Sequence, residues 1–275
     1  MSWTDAYNHL RNGGPRAVDA EAPGTAAPGA AAPPTDRDLP LGARIGSLVW
    51  LQQSPLLGAM ADGSLIALPE TDDNCIVAVS HIRLQQSGGL YRYYLDTGEV
   101  DGQEKFLQVY QNADGEVAEV MYCSRLTRVF PETVEDQEAY MGVANAGLGD
   151  RSYTLWRAQL SDIGLDDTDL DLVFGNGDGL DYWRDAGSDD EQFVAPFSGT
   201  EIRIDNPSGS RGLRQELYFM PYARELRSGG SEYLLITTEI ISRVNGDASK
   251  RGIHVDFVIG IPLQRECIVI RERRA

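Results

Sequence analysis

The chain has 275 residues, a formal net charge of -18 and a pI near 4.5, with 42% hydrophobic and 24% charged residues. This composition is typical of a globular protein with enough apolar side chains for a sizeable core. An acidic chain is repelled by phosphate backbones and anionic lipid surfaces, so we predict no nucleic-acid partner. No stretch approaches the roughly 18 apolar residues of a membrane span, so we also predict no direct membrane insertion.

The N-terminal region differs in composition from the rest. Between Gly13 and Asp38, 17 of 26 residues are Ala, Pro or Gly, which cannot bury enough apolar surface to become ordered. We therefore predict a disordered tail over residues 1–38, followed by a single β-rich globular domain over residues 39–275. The first residues contain no basic and apolar leader, and three widely separated cysteines favour neither disulfides nor a zinc site, so we expect a cytoplasmic protein.

At the tip of this tail, Trp3, Tyr7 and Leu10 have the i, i+4, i+7 spacing of one helical face. We interpret them as candidate partner-binding residues that become helical only against another protein. The alternative is that ten terminal residues simply fray, because isolated helices this short are marginal in water.

The folded part is dominated by the two-residue alternation of β-strands, joined by short Gly-, Asn- and Asp-containing turns that indicate antiparallel pairing. We predict an α+β, β-dominant fold with antiparallel sheets and one or two short helices. The predicted helices are Thr133–Ala146 and Ser152–Asp162. The predicted strands are Cys75–Leu84, Leu90–Leu95, Lys105–Gln111, Val117–Cys123, Glu201–Ile204, Leu213–Tyr222, Tyr233–Ile241, Gly252–Ile261 and Cys267–Arg271.

Residues 131–191 carry 16 acidic and three basic side chains, a net charge of -13. We interpret their second half, Asp162–Glu191, as a solvated acidic loop. The alternative is a calcium site, for which Asp166, Asp169 and Asp171 are the candidate ligands, although the ligand order of an EF-hand is absent. The glycine cluster from Gly175 to Gly179 lacks the spacing of a dinucleotide fingerprint, so we predict no cofactor.

Material for catalysis is sparse. His81 and His254 are the histidines of the predicted domain, and the sequence has no Gly-x-Ser-x-Gly nucleophile motif. His254 and Asp256 lie on one face of a predicted strand, close enough for a histidine–carboxylate pair. Such pairs are far more often surface ion pairs than catalytic groups, so His254 and Asp256 are weak catalytic candidates.

Several short segments, taken in order along the chain, resemble the YjfK-like family of uncharacterised bacterial proteins. They include Leu39-Pro40-Leu41-Gly42, Arg92-Tyr93-Tyr94-Leu95, Leu107-Gln108-Val109, Leu217-Tyr218 with Arg224, and Glu232-Tyr233-Leu234-Leu235. The resemblance implies a cytoplasmic protein encoded near phage-shock-like membrane-stress proteins. It implies no activity, since the family has none assigned.

The leading functional hypothesis is a non-enzymatic interaction or accessory protein linked to bacterial envelope stress, with membrane-stress proteins as its partners. The first alternative is an enzyme of unrecognised type that uses His81 or His254 with carboxylates. The second is a calcium- or metal-dependent binding module. A concave pocket around either histidine would favour the enzyme, and a calcium-dependent change in melting temperature would favour the metal module.

Overall fold

A computed structural model of the protein describes residues 3–12, 35–69, 73–84, 88–96, 103–244 and 252–272. The helices in these ranges are α1 (Trp3–Asn12), α2 (Ser54–Ala61), α3 (Val134–Ala139), α4 (Arg157–Asp162) and α5 (Asp167–Phe174). The strands are β1 (Leu48–Leu51), β2 (Asp73–Leu84), β3 (Gly89–Leu95), β4 (Lys105–Gln111), β5 (Val117–Val129), β6 (Ser152–Trp156), β7 (Gly179–Arg184), β8 (Phe197–Ile204), β9 (Gly212–Glu225), β10 (Ser231–Val244), β11 (Gly252–Leu263) and β12 (Ile268–Arg271).

Eight of these strands close into a barrel in the order β2–β3–β4–β5–β11–β10–β9–β8. Strand β8 completes the ring because it pairs with β9 on one side and with β2 on the other, where Val79 faces Ile204. All the pairings are antiparallel. The prediction of a β-dominant fold with antiparallel sheets is confirmed, whereas closure of the sheet into a barrel was not predicted.

Alternate residues of each barrel strand point into the lumen and out of it. Arg92 on β3 lies directly between Ser80 on β2 and Gln108 on β4, so these three polar side chains share the inner face. The outer face is also largely covered. The β6–β7 hairpin folds back over it, since the Tyr153 ring of β6 lies 6.1 Å from Tyr222 and 5.7 Å from Phe257.

Both predicted helices are wrong in part. The first ends after one and a half turns at α3, because Gly142 adopts the left-handed conformation (φ 68°) and a Cβ atom there would lie 2.6 Å from the Leu148 carbonyl oxygen. The second divides into strand β6 and helix α4. Ser152, Thr154 and Trp156 alternate with the more buried Tyr153 and Leu155, which is the two-residue period of a strand.

The prediction of a solvated loop over Asp162–Glu191 is also wrong, because this segment contains α5 and β7. Leu170, Val173 and Phe174 have helical spacing and are buried, and Leu180 and Tyr182 are the buried alternate residues of β7. The acidic side chains occupy the remaining, outward positions. Their density hid an ordinary amphipathic pattern.

At the N-terminus the structure differs from the disordered tail that we predicted. Residues Trp3–Asn12 form α1, and the stripe of Trp3, Tyr7 and Leu10 is fully buried against the chain's own barrel. Contacts with the barrel supply the free energy that a ten-residue helix lacks in isolation. Most of the predicted linker lies outside the described residues, and the division of the chain at residue 38 stays a prediction. So does the binding of another protein by this stripe.

Candidate functional site

A cluster of charged side chains lies inside the barrel, built from inner-face positions of five strands. Its members are Arg92 of β3, Arg128 of β5, Glu201 of β8, Glu239 of β10, and His254 and Asp256 of β11. We call this set the lumen cluster. All its carboxylates are buried, and Glu239 and Asp256 lie on the directly paired strands β10 and β11.

Arg92 is the centre of the lumen cluster. Its guanidinium lies 3.5 Å from Glu239 and 3.8 Å from Glu201, and it donates to Thr237 Oγ1 at 3.4 Å. Glu201 also accepts hydrogen bonds from Tyr94 at 3.1 Å and from Gln215 at 2.8 Å. Burial by itself would lower the pKa of Arg92, but the two carboxylates outweigh burial and hold that pKa above its ordinary value.

His254 and Asp256 are the two catalytic candidates from the sequence, and the structure gives each of them a different partner. His254 Nε2 lies 2.7 Å from Glu239 Oε2, and Arg128 donates two hydrogen bonds of 2.6 Å to Asp256. Burial raises the pKa of Glu239, an effect that its hydrogen bond with His254 opposes. Apart from His254, the cluster has three carboxylates and two guanidiniums, so its acidic side chains outnumber its guanidiniums by one.

The donor atoms of Glu239, His254 and Asp256 all lie within 4.8 Å of one another, as in a metal site. This donor set suits a divalent transition metal. However, Arg128 already occupies both oxygens of Asp256, and Arg92 lies beside Glu239. A cation here would therefore have to displace one guanidinium and approach the other, so the residues do not fit a metal ion.

The lumen cluster resembles the histidine–carboxylate grouping that the enzyme hypothesis requires, but its histidine and carboxylates are deeply buried. The side chains of Glu239 and His254 are only 8% and 6% exposed. Arg128, at one end of the cluster, is 31% exposed. Because the charged groups are engaged with one another, the geometry is that of an internal ion-pair network.

Arg92, Glu201 and Glu239 were not among the site residues predicted from the sequence. A partial signal was present on β10, where Thr237, Thr238 and Glu239 interrupt a strongly apolar run. Three consecutive polar residues mark polar positions in the strand but do not identify the face that carries them. Which polar residues meet there depends on strand order, and the sequence does not provide that order.

His81 is remote from this cluster. Its ring stacks on Tyr91 of the neighbouring strand, with centroids 4.5 Å apart and planes inclined by 4°. Tyr91 is an outer-face residue, so His81 lies on the opposite side of the barrel wall from His254. Burial, together with Arg83, lowers the pKa of His81 to about 4.

We expect replacement of His81 by phenylalanine to flatten the pH dependence of stability between pH 6.5 and 4. The unfolded chain binds a proton on His81 near pH 6.5, whereas the folded chain does so only near 4, so wild-type stability falls as the pH is lowered through this window. Allowing for the partly exposed ring, the loss is about 1–2 kcal/mol. Urea unfolding of the wild type and the variant at pH 6.5 and at pH 4 measures this change in the free energy of unfolding. An equal change in the two proteins would contradict the prediction.

The candidate calcium ligands do not converge in the structure. Asp166 is the N-cap of α5, where its side chain accepts the Asp169 N–H at 2.8 Å. Asp171 pairs instead with Arg157 of α4, at 2.6 Å. The Asp166 carboxylate therefore caps a helix, and the Asp171 carboxylate forms an ion pair. Calcium binding by these residues stays a prediction.

The outward face of the β6–β7 hairpin carries two exposed tryptophans. Trp156 and Trp183 are 53% and 55% exposed and lie on the same side of the hairpin, with Thr154 and Asp181 between them. Thr154 donates a 2.6 Å hydrogen bond to Asp181, and the Arg151 guanidinium lies 5.7 Å from the Trp183 ring. We call Trp156, Trp183, Thr154 and Asp181 the tryptophan face.

Comparison with known proteins gives one match. A family described as "Protein of unknown function (DUF2491)" matches residues 19–268. No curated protein and no solved structure matches the chain. Among the described helices, none has the length and apolar character to cross a membrane. The match establishes an uncharacterised domain family, and the YjfK-like name stays an expectation from the sequence.

Proposed function

The chain belongs to the DUF2491 family of proteins of unknown function, and we propose that it is a non-enzymatic interaction protein that docks partners on the tryptophan face. The proposal rests mainly on the pair of half-exposed tryptophans on one side of the β6–β7 hairpin. Tryptophan buries a large area with few rotatable bonds, and it is enriched among the residues that dominate binding energies at protein interfaces.

The architecture around this face supports the proposal. The inward side chains of the hairpin pack on the barrel, with Leu155, Leu180 and Tyr182 all buried. The outward side chains are consequently held on a rigid support, which lowers the entropy lost on docking. The lumen cluster supports a non-enzymatic role for the same barrel, since its charged groups are engaged with one another.

The proposal also concerns which kind of partner binds. The YjfK-like resemblance supports cytoplasmic membrane-stress proteins as the first partners to test. The stripe of Trp3, Tyr7 and Leu10 is a less suitable docking surface than the tryptophan face, because those side chains are buried in the barrel and α1 would have to leave it first.

The test is capture of partners from a native bacterial lysate with the full-length chain and with a Trp156→Ser/Trp183→Ser variant. We expect the variant to lose specific partners while its melting temperature stays within about 2 °C of wild type, because exposed side chains contribute little to stability. Trp50→Ser is the matched control, since Trp50 is 42% exposed on β1, away from the hairpin. Retention of every partner by the double variant would refute the proposed face.

A further inference from the structure

In the part of the chain that the structure describes, strand β6 lies at one end of the strand order and pairs only with β7. In antiparallel pairs, residues alternate between those that hydrogen-bond to the partner strand and those whose N–H and C=O point away. The Arg184 N–H donates to the Arg151 carbonyl at 2.9 Å and the Arg157 N–H donates to the Asp178 carbonyl at 2.8 Å, both in register with the hairpin. Odd-numbered residues therefore bond to β7.

The even-numbered residues consequently face the free edge of β6. Trp156 agrees with this assignment, because its N–H is capped by the Gln159 side chain at 3.0 Å instead of by β7. Ser152 and Thr154 each present an N–H and a C=O along this edge, and within the described residues no hydrogen bond to these backbone groups from outside the hairpin is seen. An edge of this kind is a template for a further strand.

A groove of about 250 Å³ lies between β6 and the barrel wall. Its apolar lining comes from Tyr153 and Leu155 of β6, Leu126 and Val129 of β5, Phe257 of β11, and Tyr140. We call this the edge groove. Tyr153 and Leu155 are the inward residues of β6, so an added strand would place alternate side chains into the groove, as in recognition by β-augmentation.

The charge around the edge groove specifies the occupant. Asp162 lines the groove, and Asp136 lies one helical turn before the groove residue Tyr140, whose N–H donates to the Asp136 carbonyl at 3.0 Å. The surrounding residues 131–191 have a net charge of -13. A strand with basic residues at its outward positions would meet complementary charge, whereas an acidic strand would be repelled.

We infer that the free edge of β6 binds an extended segment of a partner protein, with apolar residues at alternate positions and lysine or arginine between them. This inference rests on the proposed function, since it takes the occupant to be a protein partner, and it adds the mode of recognition. Backbone hydrogen bonds to Ser152 and Thr154 supply affinity, and the edge groove with its acidic border supplies selectivity.

The probe is a blocked synthetic octapeptide in which lysine alternates with valine, compared with a peptide in which glutamate replaces lysine. Both are titrated against the full-length protein by fluorescence anisotropy, and hydrogen exchange follows the Ser152 and Thr154 amides. We expect the basic peptide to bind, to protect both amides and to weaken with added salt. Equal binding of the acidic peptide, or binding without protection of the amides, would overturn the inference.

Thr154→Pro removes an N–H from the free edge and leaves the hydrogen bonds to β7 intact, a position where proline is tolerated. The matched control, Thr154→Val, keeps that N–H. We expect binding of the basic peptide to weaken at least about tenfold with proline, equivalent to 1.4 kcal/mol, and less than about twofold with valine. Ile163→Lys places a cation on the exposed rim of the groove and should also weaken binding. Unchanged affinity in both Thr154→Pro and Ile163→Lys would overturn the inference.

Two other occupants would give distinct results. If sedimentation shows a dimer and Thr154→Pro dissociates it, the edge binds a second copy of this chain. If the Thr154 amide is protected from hydrogen exchange before peptide is added, the edge binds another segment of the same monomer. Either result overturns the inference while leaving the tryptophan face untouched. Conversely, peptide binding at the edge together with full partner retention by Trp156→Ser/Trp183→Ser would refute the proposed face alone.

Discussion

Replacement of Arg92 by methionine is expected to lower the free energy of unfolding at pH 7 by about 3–5 kcal/mol, because removing one partner of a buried ion pair leaves uncompensated charge. Arg92 is the cation nearest to both Glu201 and Glu239 inside the barrel. Urea unfolding of the two proteins measures the difference. A loss below about 1 kcal/mol would show that water enters the lumen and solvates these carboxylates.

The control for this prediction neutralises the partners. In an Arg92→Met variant that also carries Glu201→Gln and Glu239→Gln, most of the lost stability should return, since neutral amides cost less to bury than carboxylates. The loss in the single variant should also shrink at low pH. Burial already raises the pKa of Glu239, and below the ordinary carboxyl value of about 4.3 this group is protonated in both folded and unfolded states.

The strands were largely predictable because their signal is local. The range Lys105–Gln111 was predicted with the bounds that the structure shows, and β2, β3 and β11 differ from prediction by one or two residues at an end. Alternation along a strand identifies its faces without knowledge of its neighbours. It therefore also predicted that His254 and Asp256 share one face, as they do on the inner side of β11.

Closure of the barrel was not predictable from such signals. It depends on pairing between β2 and β8, whose partners Val79 and Ile204 are far apart in the sequence. The lumen cluster depends on the same closure, because Arg92 meets Glu239 only when β3 and β10 face each other across the lumen. Alternation therefore indicated which residues share a face of one strand, and only the fold shows which faces point inward and which residues meet there.

The N-terminal helix shows the converse case, in which residues 3–12 of the predicted tail are helical in the structure. The spacing of Trp3, Tyr7 and Leu10 was identified as a helical stripe, and the short length of the segment favoured disorder. The stripe forms because the barrel provides the apolar surface that it needs. The Tyr7 ring lies 6.2–6.3 Å from Phe197, Phe219 and Tyr233, which are inner-face residues of three different strands.

Replacement of Tyr7 by alanine is accordingly expected to lower the free energy of unfolding by about 3–5 kcal/mol, the cost of removing a fully buried aromatic side chain from a packed core. Tyr7 is fully buried, and its hydroxyl accepts a hydrogen bond from Gln108 at 3.4 Å. Gln108 belongs to β4, so Tyr7 touches a fourth strand of the barrel. We measure the loss by urea unfolding of the full-length chain.

The matched control lies one turn earlier on the same helix. Thr4 is exposed and donates a 2.9 Å hydrogen bond to Asp185, so Thr4→Ala should cost less than about 1 kcal/mol. The two hypotheses for the N-terminus then separate clearly. If α1 is part of the barrel core, Tyr7→Ala destabilises the protein far more than Thr4→Ala does. If the first residues are a free tail, both variants unfold at the wild-type urea concentration, because a side chain in water contributes nothing to the core. Only the first outcome is consistent with a lumen that α1 fills.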